Sequence, residues 1–398
     1  MIKIVFLGEL DCGKSTLIGR LLYDTDSIPQ EVKEEFLKIS QQYGRELEFA
    51  YLLDSFEEER RGEFTLDTTQ VFINYKDKEY LLIDVPGHKE LIKNMLTGTS
   101  YANYALLVSD VEKPLEEQTK RHIYLLKFLG IKNFIIVINK MDKLGFNELS
   151  FNKAVREIGS FLTEMDLNPL EIIPVSAKEG ENVVSISSKM DWYKGMTLIE
   201  AMGNLTTEID EDKDLRFLVQ DIYYRGKEEI VLGRIVSGKL RVRDKIRIVP
   251  EGWESRVRKI VVFGKNKKEA KAKESIGLIL DKKGLKRGNI IYKKIPPNIA
   301  SEFRVKIFCL LPFRENDEFR IKINVQESNC YIIKINEVIE TDSFKKRFST
   351  AVRATDVAEI FLKTDKPLVI ENFYKTEELG RFILYKNGEI FTVGIIPE

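Results

Sequence analysis

The feature that most constrains this chain is a glycine-rich loop close to its N-terminus. Residues 2–7 are an apolar run that is short enough to be a buried strand. The loop that follows reads Gly-x-x-x-x-Gly-Lys-Ser over residues 8–15, and residues 16–22 have helical spacing. This pattern between a strand and a helix predicts a phosphate-binding loop at the edge of an α/β domain.

Each polar group of this loop has an expected task. Gly8 and Gly13 permit the backbone conformations in which successive N–H groups point at one anion. We expect Lys14 to reach the β- and γ-phosphates of a nucleotide and the hydroxyl of Ser15 to ligate Mg²⁺. Thr16, in the first turn of the helix, completes the expected phosphate contacts, because the N-terminus of a helix attracts anions.

Length and composition set broad limits on the rest. The 398 residues are enough for two or three domains. Lysine plus arginine equals aspartate plus glutamate at 63 each, so the total charge gives no sign of a polyanionic partner, although local patches can differ from the total. Three scattered cysteines favour reduced thiols and an intracellular protein. We expect no signal peptide and no membrane segment, and hence a soluble, cytoplasmic protein.

A segment after the first helices has the character of a nucleotide-sensing switch. The charge run at residues 57–61 precedes residues 62–67 and then a β-rich stretch. Phosphate-loop GTPases use such a segment to offer a threonine to Mg²⁺ and the γ-phosphate. Thr65 is the candidate, with Thr68 or Thr69 as alternatives, and the threonines could also simply suit a strand edge.

The next strand ends in a second group of polar residues. Asp84 follows the apolar residues 80–83 and is expected to hold the metal through water. Gly87 would let its backbone N–H approach the γ-phosphate, and His88 stands where a water-orienting residue belongs. The other histidine, His122, lies on a predicted helix and is interpreted as structural.

Two further strand ends predict which base is bound. Asp142, in the run Asn139-Lys140-Met141-Asp142, can accept hydrogen bonds from the N1–H and the exocyclic amine of guanine, which adenine does not offer. Asn139 and Lys140 would support the loop and cover the base. The backbone N–H groups of Ser176, Ala177 and Lys178 suit the guanine carbonyl oxygen. The expected ligands are therefore GTP or GDP with Mg²⁺.

The alternation of elements predicts the architecture. Strands alternate with helices in the first half, which predicts a mainly parallel sheet with helices on both faces. The second half has short strands at turn spacing, which predicts two antiparallel β-barrels. The expected domains are residues 1–208, 212–295 and 298–398, and Cys309 and Cys330 should lie in or near a strand core.

These motifs together resemble the translation-factor GTPases of the elongation factor Tu type, which carry a nucleotide domain and two β-barrels. Residues 233–244 resemble that family's second-domain signature. Within the family, the chain looks closest to the GTPase (large) subunit of bacterial sulfate adenylyltransferase. The stretches that carry this likeness are residues 14–25, 49–54, 66–70 and 191–193.

The closer resemblance implies a function and a partner. GTP hydrolysis would be coupled to the formation of adenosine 5'-phosphosulfate from ATP and sulfate, and a separate small subunit would carry out the adenylyl transfer. With only His88 and His122, the chain lacks the clustered histidines that an independent ATP sulfurylase site would need. By the same resemblance Asp11 would help to hold a monovalent cation, and Leu10 and Phe64 would flank the catalytic histidine.

Three departures from the family pattern stand out. Cys12 occupies a position where the family has aspartate or histidine, and it is either redox-sensitive or a neutral replacement. The switch segment is one residue longer before Thr65, which weakens that assignment. Arg243 replaces a glycine of the barrel signature, at a predicted turn.

Two other functions remain open at this point. The first alternative is an elongation-type GTPase that delivers aminoacyl-tRNA to the ribosome, and only this alternative makes nucleic acid a partner. Binding of tRNA with a steep salt dependence would distinguish it. The second is a switch that binds GTP without hydrolysing it, which would show tight binding and no turnover.

Overall fold

A computed structural model of the protein describes residues 1–43, 49, 69–84, 104–206, 213–226, 228–262, 265–341 and 344–397. The chain divides into two compact units, Met1–Thr207 and Glu208–Glu398. The first unit contains a mainly parallel sheet with helices, and the second contains antiparallel sheets curled into barrels. The predicted fold class is therefore confirmed.

The sheet of the first unit has six strands in the order β2-β3-β1-β4-β5-β6. β1 pairs in parallel with β3 and β4, whereas the edge strand β2 is antiparallel to β3. The long apolar runs are explained by burial on both faces, as is usual for parallel sheets. The strands are β1 Ile2–Gly8, β2 Thr69–Tyr75, β3 Lys78–Asp84, β4 Tyr104–Asp110, β5 Phe134–Asn139 and β6 Glu171–Pro174.

Helices connect these strands, and several have clear capping signals. Asn147 caps its helix by accepting a hydrogen bond from the N–H of Ser150 at 3.0 Å, and Thr197 and Glu200 form a capping box. None of the described helices is long and apolar enough to cross a membrane. The helices of this unit are α1 Lys14–Asp24, α2 Gln30–Tyr43, α3 Glu117–Leu129, α4 Glu148–Glu164 and α5 Leu198–Gly203, with a 3-10 turn at Met141–Leu144.

The first barrel of the second unit is a sheet in the order β10-β15-β7-β8-β14-β11-β12, closed by pairing of β10 with β11. Alternate residues along these strands enter a core of its own. Arg243 lies at a turn with φ of 76°, so the predicted turn is confirmed. The strands are β7 Arg216–Arg225, β8 Glu228–Ser237, β9 Lys239–Arg241, β10 Lys245–Val249, β11 Trp253–Val262, β12 Lys265–Lys267, β13 Glu269–Lys271, β14 Ser275–Leu280 and β15 Ile290–Tyr292.

The second barrel repeats this plan, with β18 and β19 closing the order β18-β23-β24-β16-β22-β19-β20. Cys309 and Cys330 are buried in its core, as the sequence predicts. The short helix α6 is Glu377–Gly380. The strands are β16 Asn298–Cys309, β17 Phe313–Arg314, β18 Glu318–Ile323, β19 Gln326–Ile339, β20 Lys346–Arg347, β21 Ala351–Val352, β22 Val357–Ile370, β23 Arg381–Lys386 and β24 Glu389–Ile395.

A buried ion pair links the two barrels of this unit. Arg216, on the first strand of the first barrel, is 5% exposed. Its guanidinium donates hydrogen bonds to Glu371 of the second barrel at 2.6 and 2.8 Å and to Asp214 at 2.8 Å. Apolar residues from both barrels, including Tyr292 and Val369, pack in one cluster. The two barrels therefore share an interface with a charged clamp and an apolar part.

Candidate functional site

The glycine-rich loop connects β1 to α1. β1 ends at Gly8, and α1 begins at Lys14, directly after Gly13 in the left-handed conformation with φ of 91°. Because α1 has its N-terminus here, its unpaired N–H groups face the loop. The structure thus brings Gly8, Gly13, Lys14, Ser15 and Thr16 together in the strand–loop–helix geometry that the sequence predicts.

The two glycines are also required by close approaches. A Cβ on Gly8 would lie 2.4 Å from the carbonyl oxygen of Val108 on the neighbouring strand β4. A Cβ on Gly13 would lie 2.4 Å from the side-chain nitrogen of Asn139. Any side chain at either position would displace backbone or a buried amide, so the loop can keep this shape only with glycine.

The side chain of Lys14 folds back onto the start of the loop. Its ammonium group donates to the carbonyl oxygens of Gly8 at 2.8 Å and Glu9 at 2.9 Å. These contacts hold a positive charge beside the backbone N–H groups of the loop. That combination of a cation with a helix N-terminus suits a polyphosphate.

Oxygen donors for a metal lie next to this loop. Asp84 ends β3 and is in register with Phe6 of β1, so its strand end adjoins the loop. Ser15 lies in the first turn of α1, and Thr69 is paired opposite Asp84 at the start of β2. Carboxylate and hydroxyl oxygens are the protein ligands that Mg²⁺ prefers, so this set fits that ion.

Several predicted residues lie outside the described residues. They include the candidate switch threonines Thr65 and Thr68 and the predicted catalytic residues Gly87 and His88, together with Phe64. Of the threonines considered, Thr69 is the described one, and it begins β2. The hydrolytic part of the site therefore stays a prediction.

Asn139 hydrogen-bonds both to the phosphate loop and to the loop at residues 176–178, which is the expected base loop. Its side-chain N–H donates to the carbonyl of Cys12 at 2.9 Å, and its side-chain oxygen accepts from the N–H of Ala177 at 2.9 Å. Asn139 is 2% exposed, so both hydrogen bonds are shielded from water. One amide thus fixes the separation between the phosphate loop and the expected base loop.

Asp142 lies beside the base loop. The hydroxyl of Ser176 donates to its carboxylate at 2.6 Å. One carboxylate oxygen is therefore held in place by Ser176, and the carboxylate has further lone pairs for an incoming donor. This is the arrangement that a carboxylate reading the N1–H and amine of guanine would need.

Lys140 is anchored by a residue that the sequence did not single out. Lys140 adopts the left-handed conformation with φ of 63°, and its ammonium lies 2.8 Å from the carboxylate of Asp110 at the end of β4. Burial by itself raises the pKa of Asp110, but hydrogen bonds from Lys140 and from the N–H of Glu112 outweigh it and leave that pKa below its ordinary value. Asp110 therefore stays charged and holds Lys140.

Arg20 is a second residue that sequence reasoning missed. It lies on α1, forms an ion pair with Asp24 at 2.8 Å and donates to the carbonyl of Lys178 at 3.4 Å. Its guanidinium also lies 4.8 Å from the ring centre of Phe49. Arg20 thus ties the helix of the phosphate loop to the loop at residues 176–178. Only its place in α1 could have drawn attention to it.

The remaining residues of the phosphate loop differ in their exposure to solvent. Cys12 is 2% exposed, and burial raises the pKa of its thiol. Leu10 is 78% exposed and Asp11 is exposed, with φ of 61°. Leu10 therefore presents an apolar surface next to the phosphate loop, whereas Cys12 points into the core.

Three family models match this chain in order. The model described as "Elongation factor Tu GTP binding domain" matches residues 1–209. The one described as "Elongation factor Tu domain 2" matches residues 228–291, and "GTP-eEF1A C-terminal domain-like" matches residues 302–397. The predicted GTPase domain with GTP or GDP and Mg²⁺ as ligands is confirmed by the first match.

Curated relatives match nearly the full chain. An elongation factor 1-alpha from Archaeoglobus fulgidus is 34% identical over 410 residues, which are 99% of this chain and 97% of the relative. The proteins of the same name from Pyrococcus furiosus and Methanocaldococcus jannaschii are 31% and 32% identical, over 99% of this chain and 97% and 96% of theirs.

Solved structures are similar at lower identity. One described as sup35 complexed with GDP is 20% identical, covers 100% of this chain and 93% of that chain, and has a TM-score of 0.46.

These comparisons correct the expected function and partner. The chain was expected to be the large subunit of sulfate adenylyltransferase with a small catalytic subunit as its partner. That expectation is wrong, because relatives that match 99% of the chain are named elongation factor 1-alpha. The stretches that suggested the sulfate adenylyltransferase subunit all lie within residues 1–209, the part of the chain that matches the GTP binding domain model.

Proposed function

Because the chain belongs to the elongation factor Tu type of GTPases, we propose that it is a translation elongation GTPase that binds aminoacyl-tRNA and delivers it to the ribosome. The observation that carries this proposal is the similarity to elongation factors 1-alpha over 99% of the chain, both barrels included. A protein with this task works in the cytoplasm, where aminoacyl-tRNA and ribosomes are found.

The phosphate loop would hold the triphosphate. Its backbone N–H groups and the N-terminus of α1 supply hydrogen-bond donors. Lys14 supplies a positive charge, and its ammonium group donates hydrogen bonds to two carbonyl oxygens of the loop. Asn139 keeps this loop at a fixed distance from the base loop. The residues proposed to contact the phosphates are Gly8, Asp11, Gly13, Lys14, Ser15 and Thr16.

Asp142 and the base loop at residues 176–178 would select guanine. Asp142 would accept hydrogen bonds from the base while Ser176 orients it. The N–H of Ala177 donates to the side-chain oxygen of Asn139, and this hydrogen bond would help to shape the loop that meets the base. The residues proposed to contact the base are Asn139, Lys140, Asp142, Ser176, Ala177 and Lys178.

Hydrolysis would depend on positioning more than on covalent chemistry. Ser15, Thr65 and Asp84 are proposed to hold Mg²⁺, which when bound neutralises charge on the phosphates. We assign His88 to orienting the attacking water, Gly87 to offering its backbone N–H, and Lys14 to stabilising charge on the γ-phosphate. Slow turnover is expected until a partner completes the arrangement.

The proposed domains separate the nucleotide site from the surfaces that would bind partners. Residues 1–208 form the GTPase domain, and residues 212–295 and 298–398 form the two barrels. The nucleotide site lies entirely in the first domain, which leaves the barrels for macromolecular partners.

Binding of charged tRNA in two nucleotide states tests the proposal. The full chain is loaded with GDP or with a non-hydrolysable GTP analogue and mixed with labelled aminoacyl-tRNA. We expect the analogue form to bind it at least tenfold more tightly than the GDP form and to slow hydrolysis of the aminoacyl ester. Deacylated tRNA is the control. Equal binding of charged and deacylated tRNA in both states would reject tRNA delivery.

A further inference from the structure

The neutral total charge of the chain conceals a strong internal asymmetry. Residues 213–295, which are the first barrel without Asp212, contain 24 lysines and arginines against 10 aspartates and glutamates, a formal net charge of +14. Residues 1–212 carry −13 and residues 296–398 carry −1. A basic domain within a neutral chain is the electrostatic signature of a polyanionic partner.

Part of this charge lines a groove on the outer face of β10 and β11. The groove has a volume of about 740 Å³ and lies between these strands, the start of the loop after β14 and the residues that follow β15. Its lining contains six cationic side chains, from Lys245, Arg247, Arg256, Lys282, Lys293 and Lys294. The two acidic side chains that line it are Glu254 and Asp281.

Two of these cations lie opposite each other in the sheet, where their like charges repel. Lys245 and Arg256 are directly opposite in the antiparallel pairing of β10 with β11. Like charges at such positions destabilise a sheet. Within the described part of the chain, neither side chain has a carboxylate at ion-pair distance, and both are exposed. An anion bound between them would remove this repulsion.

The acidic groups of the groove are already engaged. Glu254 pairs with Arg247 at 2.9 Å, and Asp281 lies 3.9 Å from Arg258. Just beside the groove, Asp244 holds the ammonium of Lys293 at 2.6 Å. Lys282 is engaged as well, with its ammonium over the ring of Trp253. Lys245, Arg256 and Lys294 are left as the cations that can meet an external anion.

We propose that this groove, formed by β10 and β11, binds the phosphate backbone of RNA. Side chains two apart on a strand, and those opposite on its partner, form a grid of cations that can follow a phosphate chain. Such contacts position an RNA without reading its sequence. The choice of RNA over other polyanions rests on the proposed function, whereas the anion site itself rests on charge and geometry.

The groove has little to offer a lipid bilayer. The apolar side chain in its lining, Ile246, is 1% exposed, so it belongs to the barrel core. The ring of Trp253, at the start of β11, is covered by the ammonium of Lys282, which lies 4.3 Å from the ring centre. Exposed apolar side chains strengthen membrane-surface binding beyond what cations supply, and they are absent from the described lining of the groove.

The test compares two triple variants of the full chain that lose the same charge. The groove variant carries Lys245→Ala, Arg256→Ala and Lys294→Ala. The control carries Lys265→Ala, Lys268→Ala and Arg287→Ala, which remove exposed cations of the same barrel outside the groove. The probe is a blunt RNA duplex without an aminoacyl end, measured by fluorescence anisotropy over a series of KCl concentrations with GDP bound.

We expect the control to bind the duplex within about threefold of the wild type, and the groove variant to bind at least about tenfold more weakly at low salt. Loss of three phosphate contacts should lower the slope of log K against log salt by about 2 to 3. Both variants should retain GDP affinity and thermal stability, because the substituted side chains are exposed and none of them belongs to the nucleotide domain.

Other outcomes would overturn the proposal. Equal duplex binding by the groove variant and the control would show that the groove is not the RNA surface. Tighter binding of the wild type to vesicles of 30% phosphatidylserine in phosphatidylcholine than to the duplex would identify a membrane surface instead. Duplex binding that persists when the GTP form shows no preference for aminoacyl-tRNA would reject tRNA delivery but leave this groove standing.

Discussion

The side chain of Asn139 donates a hydrogen bond to the backbone carbonyl of Cys12 at 2.9 Å, across 127 residues of sequence. The same amide accepts from Ala177. Three segments are therefore fixed by one buried residue: the phosphate loop, the end of β5 and the loop after β6. Recognition of the phosphates and of the base becomes a property of one rigid unit.

Asn139→Ala should weaken binding of GDP and GTP together. The substitution leaves the carbonyl of Cys12 and the N–H of Ala177 without their partner, and each buried unpaired group costs about 1–3 kcal/mol. We expect affinity to fall about 10- to 100-fold for both nucleotides. Fluorescent nucleotide titration measures this. Asn147→Ala, which removes a surface helix cap, is the matched control and should bind normally.

Asp142→Asn should change which base is bound. In the proposed site the carboxylate accepts from the guanine N1–H and amine, whereas an amide would present a donor toward the position of that amine. GDP affinity should fall by at least about 100-fold, because two donors then face each other at the amine and the hydrogen bond from the N1–H loses its charged acceptor. Xanthosine diphosphate carries a carbonyl in place of the amine and should bind the variant better than GDP does. If GDP remained the preferred ligand, Asp142 would not be the base reader.

Strand ends are the part of this site that the sequence predicts well. Asp84 and Asn139 each follow an apolar run, and parallel strands place their carboxyl ends at one edge of the sheet. The hydrophobic pattern therefore locates these side chains before any tertiary contact is known. The barrels follow from alternating buried and exposed residues in the same way, as in β10 and β18.

Contacts between distant segments could not be predicted. Arg20 reaches the carbonyl of Lys178 through 158 residues of separation, and Lys245 opposes Arg256 only because of the register of β10 and β11. Neither follows from periodicity. The partner was also predicted wrongly. That prediction rested on stretches within residues 1–209, whereas the relatives named elongation factor 1-alpha match 99% of the chain.

The thiol of Cys12 should react slowly. It is 2% exposed, and burial raises the pKa of the thiol, so little thiolate forms near neutral pH. We expect iodoacetamide at pH 7.5 to label Cys12 at least about tenfold more slowly in the folded protein than in the denatured chain. Peptide mass mapping resolves Cys12 from Cys309 and Cys330. Labelling of Cys12 at the rate of the denatured chain would contradict this prediction and favour a redox-sensitive loop.

Asp214 should make the stability of the barrel unit dependent on pH. Burial by itself raises the pKa of Asp214, but hydrogen bonds from Arg216 and from the N–H groups of Ile295 and Lys294 lower it below its ordinary value. A carboxyl whose folded pKa lies below its unfolded pKa, about 3.9, binds fewer protons when folded. Its stabilising contribution is therefore fully present above the unfolded pKa and is lost as the pH falls through the folded pKa.

Asp214→Asn should remove this pH dependence. In a Trp192→Phe background, Trp253 is the remaining tryptophan, and it reports urea unfolding of the first barrel in the full chain. At pH 6 the variant should lose about 1–3 kcal/mol of stability, because a charged acceptor of Arg216 is replaced. Near pH 3, which is below the unfolded pKa of about 3.9, the deficit should shrink, because the wild-type carboxyl then gains a proton on unfolding. Asp221→Asn, an exposed position on the same barrel, controls for loss of charge. A deficit in stability that stayed constant from pH 6 to pH 3 would show that the contribution of Asp214 to stability does not depend on its charge.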